Sequence, residues 1–165
     1  MVADRAVVAR QIGREPRAFR AVAVRCPFGR PAVTEQSPYD DEGEPFPTTY
    51  WLTCPFLVAA VSRLEAAGGV ERWTRATEED SALAASLRAA NEKQRQLRPQ
   101  LAGGIGGSTR GGSLKCLHAH AAFALARPGY ELGKRILGEL DPLWPERCCS
   151  AAATGCSHDL VAATV

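Results

Sequence analysis

Gly111-Gly112-Ser113-Leu114-Lys115-Cys116-Leu117-His118-Ala119-His120 is the stretch from which the rest of the chain is best read. A glycine-rich run gives way here to an apolar, alanine-rich segment, and three potential metal ligands fall within five residues. With Ser113 as N-cap, residues 114–126 form a helix whose apolar arc carries Leu117, Ala121, Ala124 and Leu125. Steps of about 100° place Cys116 and His120 one turn apart on that arc, with His118 at its edge. If the first residues are extended instead, Cys116, His118 and His120 share a face through the period of two. Both arrangements bring Cys116 beside a histidine at a helix start, where free backbone N–H groups favour a thiolate or an anion.

Working outward, two other cysteines stand at fixed points. Phe19 to Val24 alternates with arginine as a half-buried strand and delivers Cys26 into Cys26-Pro27-Phe28-Gly29-Arg30-Pro31, a turn set by two prolines and a glycine. Ala32 to Gln36 and Phe46 to Thr53 read as two more strands, joined by the acidic turn Asp40-Asp41-Glu42-Gly43-Glu44. The last of these ends in Thr53-Cys54-Pro55, directly before the helical pattern Leu57, Ala60, Val61, Leu64 that stops at Gly68-Gly69. Proline fits the first turn of a helix, so Cys54 sits at or beside the N-cap, a position expected to lower a thiol pKa. The expected metal ligands are therefore Cys26, Cys54 and Cys116 with His118 or His120, a Cys₃His set that suits zinc or, with cysteine twice followed by proline, an iron–sulfur cluster. A metal-free thiol enzyme is a second possibility, with Cys54 or Cys116 as nucleophile and His118 or His120 as base.

The 165 residues, 45% of them hydrophobic, are enough for one globular domain with its own core. A formal charge of +2 does not call for a polyanion. Residues 1–30 hold seven arginines against Asp4 and Glu15, but no aromatic-rich strand of the RNA-binding kind accompanies them, which argues against nucleic acid as partner. No apolar leader and no span-length run is present, Phe56 to Val61 being the longest apolar stretch, so a cytoplasmic location off the membrane is expected. Six cysteines in a reducing compartment read as ligands, reactive thiols or core fillers rather than as three disulfides.

The remaining segments complete the architecture. Asp4 to Gln11 is a short helix stopped by Gly13. Glu78-Glu79-Asp80 opens a longer helix through about Gln96, whose face of Arg88, Asn91, Glu92, Lys93 and Arg95 is expected to be solvated. Arg98-Pro99 ends it. The loop 103–112 follows, six of its ten residues glycine; it lacks the ending of a P-loop, and Gly106, Gly107, Gly111 and Gly112 are candidates for an anion-binding or lid loop over the Cys116 site. A last helix spans about Tyr130 to Leu140 and stops at Asp141-Pro142. Cys148, Cys149, Cys156 and His158 lie in a small-residue tail that lacks a close Cys-x-x-Cys pair.

The blocks Arg25-Cys26-Pro27-x-Gly29-x-Pro31, Pro45-Phe46-Pro47-Thr48-x-Tyr50-x-Leu52-Thr53-Cys54-Pro55 and Lys115-Cys116-Leu117-His118, in that order, resemble the uncharacterised actinobacterial domain-of-unknown-function family 501 over roughly residues 5–138. The resemblance implies a housekeeping role and no defined activity. The expectation is then an α+β single domain over residues 1–140, a small antiparallel sheet packed on four to five helices, with residues 141–165 as a poorly ordered tail. Its expected role is a cytoplasmic metal-binding protein. A non-enzymatic adaptor with structural cysteines and a protein partner is the alternative.

Overall fold

A computed structural model describes residues 2–109 and 112–149. Among these, six α-helices surround a three-stranded antiparallel sheet of order β1-β2-β3: α1 (Val2–Ile12), β1 (Phe19–Arg25), β2 (Pro31–Gln36), β3 (Tyr50–Leu52), α2 (Pro55–Ala66), α3 (Gly69–Glu79), α4 (Ser81–Leu97), a 3-10 turn at Ile105–Gly107, α5 (Leu117–Ala126) and α6 (Glu131–Gly138). The α+β class follows from the pattern of apolar residues. β1 alternates half-buried and exposed residues except at Ala21-Val22, β3 buries Tyr50 and Leu52, and β2, the central strand, is covered on both faces and is buried at Pro31 to Thr34 and at Gln36.

The core lies between the sheet and α5. Leu57 and Val61 of α2, Leu117, Ala121 and Ala122 of α5, and Leu132 and Ile136 of α6 are fully buried there. Burial of a leucine or isoleucine side chain contributes about 2–3 kcal/mol, which makes this contact the main source of cohesion. Tyr50, Phe123 and Tyr130 form an edge-to-face stack across β3, α5 and the start of α6.

Three local readings differ from expectation. α3 is an additional helix. Its apolar stripe, Val70, Trp73 and Ala76, packs on the core, and it enters at Gly69, where a Cβ would come within 2.6 Å of the Leu64 carbonyl oxygen and 2.9 Å of Leu117 Cδ1. Only glycine permits that crossing of α2, α3 and α5. Of the acidic triplet, Asp80 alone opens α4: its carboxylate accepts from the N–H groups of Ala82 at 2.8 Å and Leu83 at 3.2 Å. The third strand is three residues long, because Pro45 and Pro47 cannot donate to a ladder and Phe46 donates its N–H to the Pro38 carbonyl instead.

The face of α4 expected to be solvated carries a buried polar seam. Asn91 Oδ1 accepts from the Ile105 N–H at 2.9 Å, and Gln94 Oε1 accepts from Thr49 Oγ1 at 2.7 Å. Arg98, 2% exposed, donates its guanidinium to the carbonyl oxygens of Phe46 and Gln36, and among the described residues no carboxylate bonds to it. Burial lowers its pKa to about 10, with nearby Glu35 and Tyr50 acting the other way. This seam clamps the C-terminal end of α4 to the edge of the sheet.

Candidate metal site

α5 begins three residues later than its sequence pattern implies, with Cys116 rather than Ser113 as the capping residue. Cys116 is extended (φ −160°, ψ 125°) and supplies no side-chain cap. The vacancy is filled by Glu65 on α2, whose Oε1 accepts from the Leu117 N–H at 2.6 Å. A carboxylate borrowed from a neighbouring helix thus closes the first turn of α5.

That carboxylate is shared. His118 Nδ1 lies 3.2 Å from Glu65 Oε1 and 3.7 Å from Cys116 Sγ. The ligand atoms of Glu65, Cys116 and His118 all lie within 4.8 Å of one another, and all three residues are half-buried. The other ring nitrogen, Nε2, stands 3.2 Å from the Val58 carbonyl oxygen and 3.2 Å from Ser62 Oγ. A carbonyl can only accept, so Nε2 carries hydrogen; Nδ1, which faces the carboxylate, carries the second hydrogen of the imidazolium, and loss of that proton leaves the Nδ1 lone pair directed at the thiol and the carboxylate. Val58, Ser62 and Glu65 follow the i, i+4, i+7 spacing of one helical stripe, so a single face of α2 fixes both sides of the imidazole. The Cys116 contact, the Glu65 charge and the Val58 carbonyl together raise the His118 pKa to about 9 against the opposing effect of burial.

The other residues expected at the site lie elsewhere. Cys26 is buried in the β1–β2 turn, where its carbonyl accepts from the Gly29 N–H at 2.9 Å. Cys54 caps α2, but its sulfur lies 3.6 Å from Cys149 Sγ. Its thiol pKa is pushed up to about 12, the opposite of the expected shift, because burial outweighs the N–H groups of Leu57 and Phe56. His120 is 1% exposed and turns toward α6, with Nδ1 2.7 Å from the Tyr130 hydroxyl; burial lowers its pKa to about 4. Cys26, Cys54 and His120 therefore stand outside the cluster that gathers Cys116 and His118.

Part of the glycine loop is closed by its own hydrogen bonds. Gly107 donates to the Gly104 carbonyl at 3.0 Å, Ser108 to Ile105 at 3.4 Å, and Gly104 to Ser108 at 2.7 Å, so these donors are spent inside the loop. Gly106 packs toward Ala119, where a Cβ would sit 3.3 Å from the alanine methyl. Gly112 accepts at its carbonyl from Thr77 Oγ1 at 3.1 Å. Gly111, Cys156 and His158 lie outside the described residues.

Glu65 was not among the expected ligands, although the sequence contains a signal for it. An acidic side chain in the last turn of a helix opposes the macrodipole, so its presence there calls for a compensating donor.

The family model for a protein of unknown function, DUF501, matches residues 22–139. The chain belongs to the DUF501 family. The match runs from β1 through α6 and contains Glu65, Cys116 and His118, whereas Cys149 lies beyond it. No curated protein and no solved structure matches this DUF501 chain. Among its described residues no helix is long and apolar enough to cross a membrane.

Proposed function

We propose that this DUF501 protein binds one divalent transition-metal ion, zinc by the chemistry of the donors, through Glu65, Cys116 Sγ and His118 Nδ1, with a fourth position open. The observation that carries the reading is the spacing of the donor atoms. Tetrahedral zinc with bonds of about 2.3 Å to sulfur and about 2.1 Å to nitrogen or oxygen has edges of roughly 3.6 Å for N···S and roughly 3.4 Å for N···O. The corresponding separations are 3.7 Å and 3.2 Å. The Nε2–H to Val58 carbonyl bond is the outer contact that orients a metal-bound imidazole. One thiolate, one carboxylate and one neutral imidazole balance a dication. A single sulfur suits zinc better than an iron–sulfur cluster, which takes most of its ligands from cysteine.

A nucleophilic Cys116–His118 pair is less well supported by the same contacts. Glu65 competes with the thiol for the Nδ1 proton, and the Leu117 N–H, a natural oxyanion donor, is already taken by Glu65. Metal analysis of the purified chain tests the proposal. About one equivalent of zinc is expected, lost in Cys116→Ser and His118→Gln. Cobalt substitution should give tetrahedral d–d bands with a thiolate charge-transfer band. Metal-free protein whose Cys116 alkylates rapidly, with the rate falling in His118→Gln, would replace the metal reading by the nucleophile.

A further inference from the structure

Cys54 and Cys149 are 95 residues apart in sequence, yet their sulfur atoms are in van der Waals contact at 3.6 Å. Both are free thiols, and neither belongs to the Glu65–Cys116–His118 cluster. We propose that the pair is a thiol–disulfide exchange site: a small-molecule disulfide of the glutathione type modifies Cys149, and Cys54 then closes an internal disulfide that staples the segment after α6 to the start of α2.

The two sides of the contact differ in access and freedom. Cys149 is exposed, whereas Cys54 is 1% exposed. Cys54 is held by its own backbone, its N–H directed at the Ala32 carbonyl at 3.3 Å and its carbonyl accepting from Val58 at 2.9 Å. Cys149 lies in the irregular segment beyond α6, in neither helix nor strand. A disulfide needs a sulfur separation of about 2.05 Å, so the sulfurs must approach by roughly 1.5 Å, a movement the Cys149 side can supply.

Exposure sets the order of the steps. The Cys149 thiolate attacks one sulfur of the small disulfide, whose S–S bond breaks; one small thiol leaves with a proton and a mixed disulfide remains. Cys54 then gives up its proton and attacks the Cys149 sulfur, expelling the second small thiol. Two protein thiols are oxidised and one external disulfide is reduced to two thiols. Burial holds Cys54 in its protonated form, which makes closure the slower step, so the mixed disulfide builds up first.

The test is incubation of the reduced, full chain with glutathione disulfide, acid quenching over time, and peptide mapping without reductant. The expected course is a glutathione adduct on Cys149 followed by a Cys54–Cys149 linked peptide, with a rise in Tm on the order of 10 °C on closure of so long a loop. Cys149→Ser, at an exposed position, should lose both species. Cys54→Ala should keep the adduct and never close. Saturating zinc should leave the linked peptide unchanged, which separates this outcome from that of the metal site. Absence of the linked peptide, whether because the adduct persists on Cys149 or because either cysteine pairs elsewhere, overturns the proposal.

Discussion

Replacing Glu65 separates two duties that one oxygen atom performs. Oε1 accepts the Leu117 N–H at 2.6 Å and faces His118 Nδ1 at 3.2 Å. Glu65→Ala removes the cap of α5 and leaves a donor at the edge of the core without its charged acceptor. Loss of a cap costs about 1 kcal/mol, and loss of a hydrogen bond to a charged group about 1.5–3 kcal/mol. Taking about 2 kcal/mol as the combined effect at this half-buried position, the melting temperature should fall by roughly 4–8 °C. Glu65→Gln keeps an oxygen that can accept from Leu117 and loses only the charge, so its melting temperature should fall by less than about 3 °C. Zinc should distinguish the pair from wild type in the other direction. On the proposed metal reading, zinc at a hundredfold excess over its Kd should stabilise wild type by about 2.7 kcal/mol, equivalent to a rise of roughly 5–10 °C. Glu65→Gln should lose most of that rise. The assay is thermal unfolding of the three proteins with zinc and with chelator. A Glu65→Ala variant that melts like wild type would refute the capping role. A Glu65→Gln variant with the full zinc response would refute the carboxylate as ligand.

His120, neutral in the folded protein with its pKa lowered from 6.5 to about 4, must be deprotonated to fold, so its contribution to stability is intact above pH 6.5 and falls as the pH drops toward 4. Urea unfolding should lose about 3 kcal/mol over that range from this group, and His120→Gln should flatten the profile. Arg98→Ala leaves the Gln36 and Phe46 carbonyls without their buried donor and opens a cavity; a loss of about 3–5 kcal/mol in urea unfolding is expected, and Arg98→Lys, which cannot span both oxygens, should recover little of it. Gly69→Ala drives a methyl to 2.6 Å from the Leu64 carbonyl oxygen and should cost about 1–3 kcal/mol, read as a lower Tm.

The first two strands, the turns at Cys26 and Asp40, and the helices α1, α2 and α6 could be read from periodicity and from proline and glycine, because those signals are local; the third strand reads too long, from Phe46 through Pro47. What escaped depends on neighbours. Val70, Trp73 and Ala76 form a sparse stripe in a segment rich in arginine and glutamate, and only the close passage at Gly69 turns it into a packed helix. Asn91, Gln94 and Arg98 look like solvent-facing side chains until Thr49, Ile105 and the Gln36 and Phe46 carbonyls are placed opposite them. At the site, Cys116 and His118 were legible as a pair within one short stretch. Glu65 was signalled only as an acid in the last turn of its helix; which donor answers it could not be read, because Leu117 reaches it from another helix across 52 residues of chain. Cys26 and Cys54 were drawn into the expected set by the rigid turns that carry them, but rigidity fixes a position without saying what it faces.

The carboxylate that closes the first turn of α5 has a kinetic consequence. Because hydrogen bonds already hold the donor atoms of Glu65 and His118 in register, an arriving ion would meet a finished socket and have no chain to organise. Uptake and release would then be governed by desolvation and by the loss or gain of the imidazole proton, and stripping the ion would leave the surrounding helices standing, unlike the collapse that follows chelation of a zinc finger.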